Sequence, residues 1–249
     1  MTDAVCLTVD VEDWYDGMAV LGEQIDRPAD ARSGLDGLAT LLESSSGRSA
    51  VTLFVVGNYA PRVGPELTGL VDAGHEVASH GADHGHLPED PAALLDWLRR
   101  GKAVLEDLVQ RPVSGFRSPR FDIPASMELA RYRGLLAEAG FTYVSDTNRL
   151  GSGSPVRELP VLSKFGIPIG GGSYQRLLPA TAVTSAVTPS VPPAVLYYHS
   201  YDFGATLPGT GSIRSLAMAK QLIGRQRVAR IFNQILSRYG SKACGDVER

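Results

Sequence analysis

AVCLTVDVED, residues 4–13, decides how the rest of the chain is read. Residues 4–11 are a β-branched apolar run of the kind that forms a buried strand. The run ends in acids, so Asp10, Glu12 and Asp13 stand at the C-terminal end of that strand. SAVTLFVVG (49–57), EVASH (76–80), VSGFRSP (113–119), FTYVSDT (141–147) and PAVLYYHSYDF (193–203) read as further strands or strand–loop junctions. Helical spacing of apolar residues lies between them, in SGLDGLATLLESS (33–45), GPELTGLVDAG (64–74) and MELARYRGLLAEAG (127–140). The longest such stretch, 90–111, has Asp90 as N-cap and Pro91 in its first turn. One or two terminal helices are expected over 215–240. Strand and helix alternate every roughly 15–30 residues, which predicts βα units and a parallel sheet. From 150 to 195 the composition turns to Gly, Ser and Pro, and loops with short strands are expected there.

Length and composition set the outer bounds. A chain of 249 residues, 43% of them hydrophobic, suffices for one domain, so 1–249 is read as a single unit in which 150–195 is a loop-rich insertion. A net charge of −3 gives no basic surface for nucleic acid. The two cysteines, Cys6 and Cys244, are too few for a disulfide framework. The N-terminus lacks the basic and apolar regions of a signal peptide, and no apolar run reaches the roughly 18–20 residues that span a bilayer. The expectation is a cytoplasmic protein without stable membrane insertion; nothing in the sequence speaks to its oligomeric state.

In βα folds the chemistry gathers in the loops that follow the strands. The strand ends here deliver Asp10, Glu12 and Asp13, then His80 and His84, then Arg117, Asp146, and finally His199 with Asp202. Alone, His80 and His84 read more readily as an exposed polar loop than as a metal site. Four residues apart on a helical turn, two imidazoles share a face and can hold a Zn²⁺ ion. Adding a carboxylate from another strand end completes a standard catalytic metal set.

Six stretches in order carry a resemblance: LTVDVEDW, ASHGADHGHL, GFRSPRFDIP, GFTYVSDT, GGGSYQRLLP and VLYYHSYDF. Together they resemble the NodB-type polysaccharide deacetylases of carbohydrate esterase family 4 over about residues 4–240. They are most similar to the branch whose first motif reads Asp-Val-Glu-Asp, which is associated with exopolysaccharide biosynthesis. The resemblance implies an α/β fold, a distorted (β/α) barrel of about seven parallel strands. It also implies a divalent metal, most often Zn²⁺, and removal of acetyl groups from N-acetylated, less often O-acetylated, sugars. By it, Asp10 is the general base and His199 the general acid. His80 and His84 are metal ligands, with Glu12 and Asp13 competing for the third place. Arg117 pairs with Asp10, and Asp146 orients His199. Ser200 stands where the branch has proline. The missing secretion signal is a second departure.

The chemistry agrees. Amide hydrolysis needs a nucleophile, a polarised carbonyl and a protonated leaving amine; a metal ion supplies the first two, Asp10 can take a proton, and His199 can give one. A backbone N–H near Phe121 is a candidate oxyanion donor. Trp14, Phe121, Tyr174 and Arg176 are candidates for contacting the sugar, with the glycines before Tyr174 allowing close backbone approach to a ligand. Two alternatives stand beside this reading: a C–N hydrolase for a small cyclic amide, and a non-catalytic carbohydrate-binding relative. A binding module, however, has no use for a proton donor set opposite a base.

Overall fold

The computed structural model describes residues 5–22, 35–44, 49–146, 153–164, 168–187, 193–204 and 215–247. Strands β1 (Cys6–Val11), β2 (Thr52–Val55), β3 (Glu76–Ser79), β4 (Gly115–Phe116), β5 (Tyr143–Val144), β6 (Arg157–Glu158) and β7 (Val195–His199) form one sheet, in the order β6-β5-β4-β3-β2-β1-β7. All six pairings are parallel. Around the sheet are helices α1 (Trp14–Val20), α2 (Leu35–Ser44), α3 (Gly64–Asp72), α4 (Pro91–Val109), α5 (Leu129–Glu138), α6 (Gly172–Gln175), α7 (Ala180–Ala186), α8 (Leu216–Leu222) and α9 (Arg225–Tyr239). The expected seven-stranded parallel architecture is present as a curled, partial barrel. Its closure is irregular: just past β6, Val161 bridges Val195 of β7, so one short segment touches both edges.

β1 is buried along its whole length, as its apolar run requires. Leu7, Val9 and Val11 join the main core with Leu38, Leu67 and Leu98 of the surrounding helices. Cys6, pointing to the other face, packs with Phe54, Ala78, Tyr143 and Cys244 inside the curl. Period-2 alternation then sends Thr8 and Asp10 to that same inner face, one and two steps nearer the C-terminal rim. Asp90 caps α4 through the Ala93 N–H at 2.8 Å, and the helix ends where Gln110 turns left-handed at φ 52°. The terminal helical region is two helices, divided at Gly224 with φ +72°.

Two local expectations change. α1 begins immediately after the acids of β1, in a stretch with no helix expected. Within 153–187 there are two short helices besides the expected strand and loops. At the N-terminal end of the sheet Glu76 bonds Thr52, Tyr143 and the Gly245 N–H, a structural cluster far from the opposite rim. Among the described residues no helix is long and apolar enough to cross a membrane.

Candidate metal and catalytic centre

Every strand-end group expected at the mouth emerges on the C-terminal rim of the sheet. β1 and β7 are in register with Asp10 opposite His199, which places the candidate base and acid on adjacent strands. Asp10 is 3% exposed, and such a buried carboxylate needs a partner. Arg117 supplies it, with Nη1 2.6 Å from Asp10 Oδ1. The guanidinium is wholly buried and fixed on all sides. It donates to Thr8 Oγ1 at 2.9 Å, to the Ser145 carbonyl at 2.9 Å and to Ser145 Oγ at 2.8 Å, over the Phe54 ring at 4.1 Å. Its planar fork is what allows one side chain to tie three strands together.

Glu12, His80 and His84 bring three donor atoms within 4.8 Å of one another, all from buried or half-buried residues. His84 Nε2 is 2.5 Å from Glu12 Oε2, and His80 Nε2 is 3.7 Å from it. His80 Nδ1 is 2.9 Å from the Arg117 carbonyl. That carbonyl can only accept, so Nδ1 carries the proton and Nε2 is left as a ligand, the usual outer support of a metal histidine. Burial opposes charge on Glu12, but His84 and His80 outweigh it and hold the carboxyl well below its usual range. Burial likewise opposes charge on His84, but Glu12 lifts it to about 9. One carboxylate with two imidazole nitrogens, desolvated and mutually close, fits a divalent ion of the Zn²⁺ type.

The histidine pair reaches this geometry from a loop; no helical turn joins it. Gly81 sits at φ +86°, and a Cβ there would meet the Trp97 ring at 2.0 Å. The chain therefore doubles back beneath Trp97, whose Nε1 donates to Asp83 at 3.1 Å, and returns His84 to His80 with ring centroids 5.6 Å apart. His86 remains outside, 76% exposed, beside Asp122 and Arg120.

Asp13, the other candidate third ligand, is placed elsewhere. It is the N-cap of α1: Oδ1 accepts the Tyr15 N–H at 3.1 Å, and Oδ2 lies 3.5 Å from Arg62. Asp146 does not meet His199. It accepts the Ser118 N–H at 2.7 Å and the Tyr132 hydroxyl at 3.2 Å. The acid beside His199 is Asp202, three residues on. Asp202 Oδ2 accepts the His199 N–H at 3.1 Å and faces ring Nδ1 at 3.6 Å. The ring stacks on Tyr201 at 4.8 Å and 7°, with Nε2 3.9 Å from Glu12 Oε1. Burial opposes charge on this ring too; Asp202 and Glu12 outweigh it and raise its pKa.

The four candidate sugar contacts divide. Trp14 is 0% exposed and packs edge-on against Tyr201 at 5.5 Å, a core position. Arg176 is also buried, in an ion pair with Asp202. Tyr174 is 41% exposed. Phe121 is half-buried and meets Tyr197 edge-on at 5.0 Å. Arg120 and Phe121 both take positive φ, 61° and 56°, which costs non-glycine residues of order 1–3 kcal/mol each. Ser118 holds this turn by donating to the Asp122 carbonyl while its own carbonyl accepts the Phe121 N–H at 3.1 Å. The N–H groups of Ser118 and Phe121 are thus already engaged, so neither is a preformed oxyanion donor. Beyond Phe121 an open groove runs past Asp122, Ile123, Pro124 and Met127. Asp202, Thr8 and Ser145 are the site residues without an assigned role in the sequence reading. Asp202 stood among the strand-end acids; the two hydroxyls carried no signal.

Burial pushes Asp146 up to about 6, its hydrogen bonds and Arg117 opposing this only in part. A carboxyl with a raised native pKa favours folding at low pH. It loses that advantage as pH rises from its unfolded value near ~3.9 toward its native one. At about 1.4 kcal/mol per pH unit, the stability of metal-free Asp146→Asn relative to the native chain should grow by roughly 2–3 kcal/mol from pH 4 to pH 7. Urea unfolding at both pH values measures it, and a pH-independent difference contradicts the assignment.

Comparison with known proteins places this geometry. Residues 44–144 match the family Polysaccharide deacetylase, and residues 137–247 match Domain of unknown function (DUF3473). A candidate polysaccharide deacetylase from Mycobacterium smegmatis is similar in structure, with TM-score 0.58 and 21% identity over 96% of this chain and 88% of that one. So is a peptidoglycan N-acetylglucosamine deacetylase, with TM-score 0.57 and 14% identity over 99% and 88% of the two chains. A CE4 family pseudoenzyme from Bacillus anthracis gives TM-score 0.57 and 12% identity over 99% of this chain; this chain spans 65% of its length. No curated protein matches the chain.

Proposed function

We propose that this chain is a metal-dependent carbohydrate deacetylase that hydrolyses the acetamide of an N-acetylated sugar. The observation that carries the reading is the meeting of a buried carboxylate–imidazole donor set with a base and an acid on adjacent strands. Glu12, His80 and His84 would hold the ion, Zn²⁺ by the chemistry of its donors. A divalent ion so held supplies Lewis-acid polarisation of the acetyl carbonyl and acidification of water.

The chain's own residues supply the rest. Asp10, held in one orientation by Arg117 Nη1 at 2.6 Å, accepts the proton of the attacking water. His199 gives its proton to the sugar nitrogen as the C–N bond breaks. Phe121 and Tyr197 present aromatic surface beside the reacting centre, and the groove beyond Phe121 can take the remainder of a glycan. The match of residues 44–144 to polysaccharide deacetylases supports a glycan substrate. The Asp-Val-Glu-Asp motif favours one belonging to exopolysaccharide assembly. Retention of base, donor set and acid together speaks against a pseudoenzyme.

Acetate release decides it. Zn²⁺-loaded protein should liberate acetate from N-acetylglucosamine oligomers and leave a small cyclic amide such as hydantoin intact. Hydrolysis of hydantoin alone would assign a cyclic-amide hydrolase. Carbohydrate binding without turnover of any acetylated glycan would assign a binding protein.

A further inference from the structure

The motif GGGSYQR, 170–176, lies against β7, where Gly171 forms a parallel bridge with Tyr197. A Cβ on Gly170 would meet the Val195 carbonyl at 2.9 Å, one on Gly171 the Tyr197 ring at 2.7 Å, and one on Gly172 Asp202 Oδ2 at 3.1 Å. Three successive glycines thus let the loop lie directly on the strand that ends in His199. The approach delivers Arg176 to Asp202. Arg176 Nη2 pairs with Asp202 Oδ1, while Nη1 donates to the Gln221 carbonyl at 2.7 Å and side-chain oxygen at 2.5 Å. Gly224, at φ +72°, gives the same clearance on the far side, since a Cβ there would meet the Arg176 carbonyl at 2.2 Å. Both charges are fully buried.

We infer that Arg176 is a positioning residue for His199, acting through Asp202, an inference that rests on the reading of His199 as proton donor. The carboxylate has two oxygens and two duties. Oδ1 is spent on Arg176, which fixes the rotation of the group, and Oδ2 is thereby aimed at the backbone N–H and ring of His199. Arg225 steadies the same turn by donating to the Tyr201 carbonyl at 3.0 Å, beneath the tyrosine on which the imidazole stacks. The part of the chain matching DUF3473 therefore supplies both the acid and its support. Arg176 is 1% exposed, so its side chain is placed to act on Asp202 and not at the open surface of the site.

A proton donor matters when the leaving group is a sugar amine and hardly at all when it is para-nitrophenolate, which leaves unprotonated. Arg176→Met in the Zn²⁺-loaded chain should lower kcat for an N-acetyl sugar by about 10²-fold. KM, zinc content and the rate on para-nitrophenyl acetate should change little. Arg176→Lys should recover part of the loss. The double variant Arg176→Met/Asp202→Asn should fall no further than Asp202→Asn alone, because Arg176 acts through Asp202. Equal losses on both substrates, a change confined to KM, or additive losses in the double variant would overturn the proposal. An independent readout is the ¹⁵N signals of the His199 ring, which should shift in Arg176→Lys whether or not the acetamido sugar is turned over. Unchanged ring signals would overturn the proposal, whereas shifted signals without turnover of any acetylated glycan by the native chain would overturn only the function proposed above.

Discussion

Asp10→Asn should retain its metal and lose hydrolytic activity by about 10²–10⁴-fold, the range for removal of a general base. The replacement is nearly isosteric, and the amide oxygen can still accept from Arg117, so the geometry of the buried cluster is preserved while the proton acceptor is lost. Three observations support the proposed role of base and the placing of Asp10 outside the donor set. Its carboxylate is engaged by Arg117 at 2.6 Å, the neighbouring Thr8 hydroxyl shares the same guanidinium nitrogen, and the group of mutually close donors comprises Glu12, His80 and His84 without it. Metal content by elemental analysis and kcat/KM on the same preparation test this together. Metal lost along with activity would make Asp10 a ligand and invalidate the assigned roles.

The second large effect separates two neighbouring acids. Glu12→Ala should lose bound metal and with it activity, as should the His80→Ala/His84→Ala double variant. Asp13→Ala should keep its metal. Asp13 spends one oxygen on the Tyr15 N–H at the start of α1, so its removal is expected to cost about 1 kcal/mol of stability, the usual value of an N-cap. Glu12 has no such duty and faces both histidines. Zinc stoichiometry and the urea midpoint, measured on all three variants, form the test. Full stoichiometry in the double histidine variant would remove the site, and metal loss in Asp13→Ala with retention in Glu12→Ala would exchange the two acids.

The sequence by itself determined which residues could meet. An apolar β-branched run must be buried, and in a parallel βα arrangement its C-terminal end must open on the same rim as its neighbours'. That placed Asp10, Glu12, His80, Arg117 and His199 at one mouth before any contact was known. Helix signals of the same local kind, such as Asp90 before Pro91, located α4 correctly. These features are legible because they depend on residues within a few positions of one another.

Only the tertiary structure decided which of those residues touch. Glu12 and Asp13 are equivalent in type and nearly so in spacing; the choice falls to α1, whose first turn claims Asp13. Asp146 and Asp202 both follow strands, but Asp146 faces Ser118 and Tyr132 across the sheet while Asp202 turns back under His199. The glycines of 170–172 signalled a close approach, and the sequence could not say to what; the approach is to β7, and it carries Arg176 into the interior. Trp14, equally suited to a sugar face or to a core, is closed over by Tyr201. Apart from Asp202, whose partner His199 is three residues away, the deciding partner lies far away in the chain or belongs to a helix that the apolar pattern did not announce. Hydrogen bonds and packing across such separations leave no periodicity in the sequence, so they become visible only once the sheet has curled and the segments are brought together.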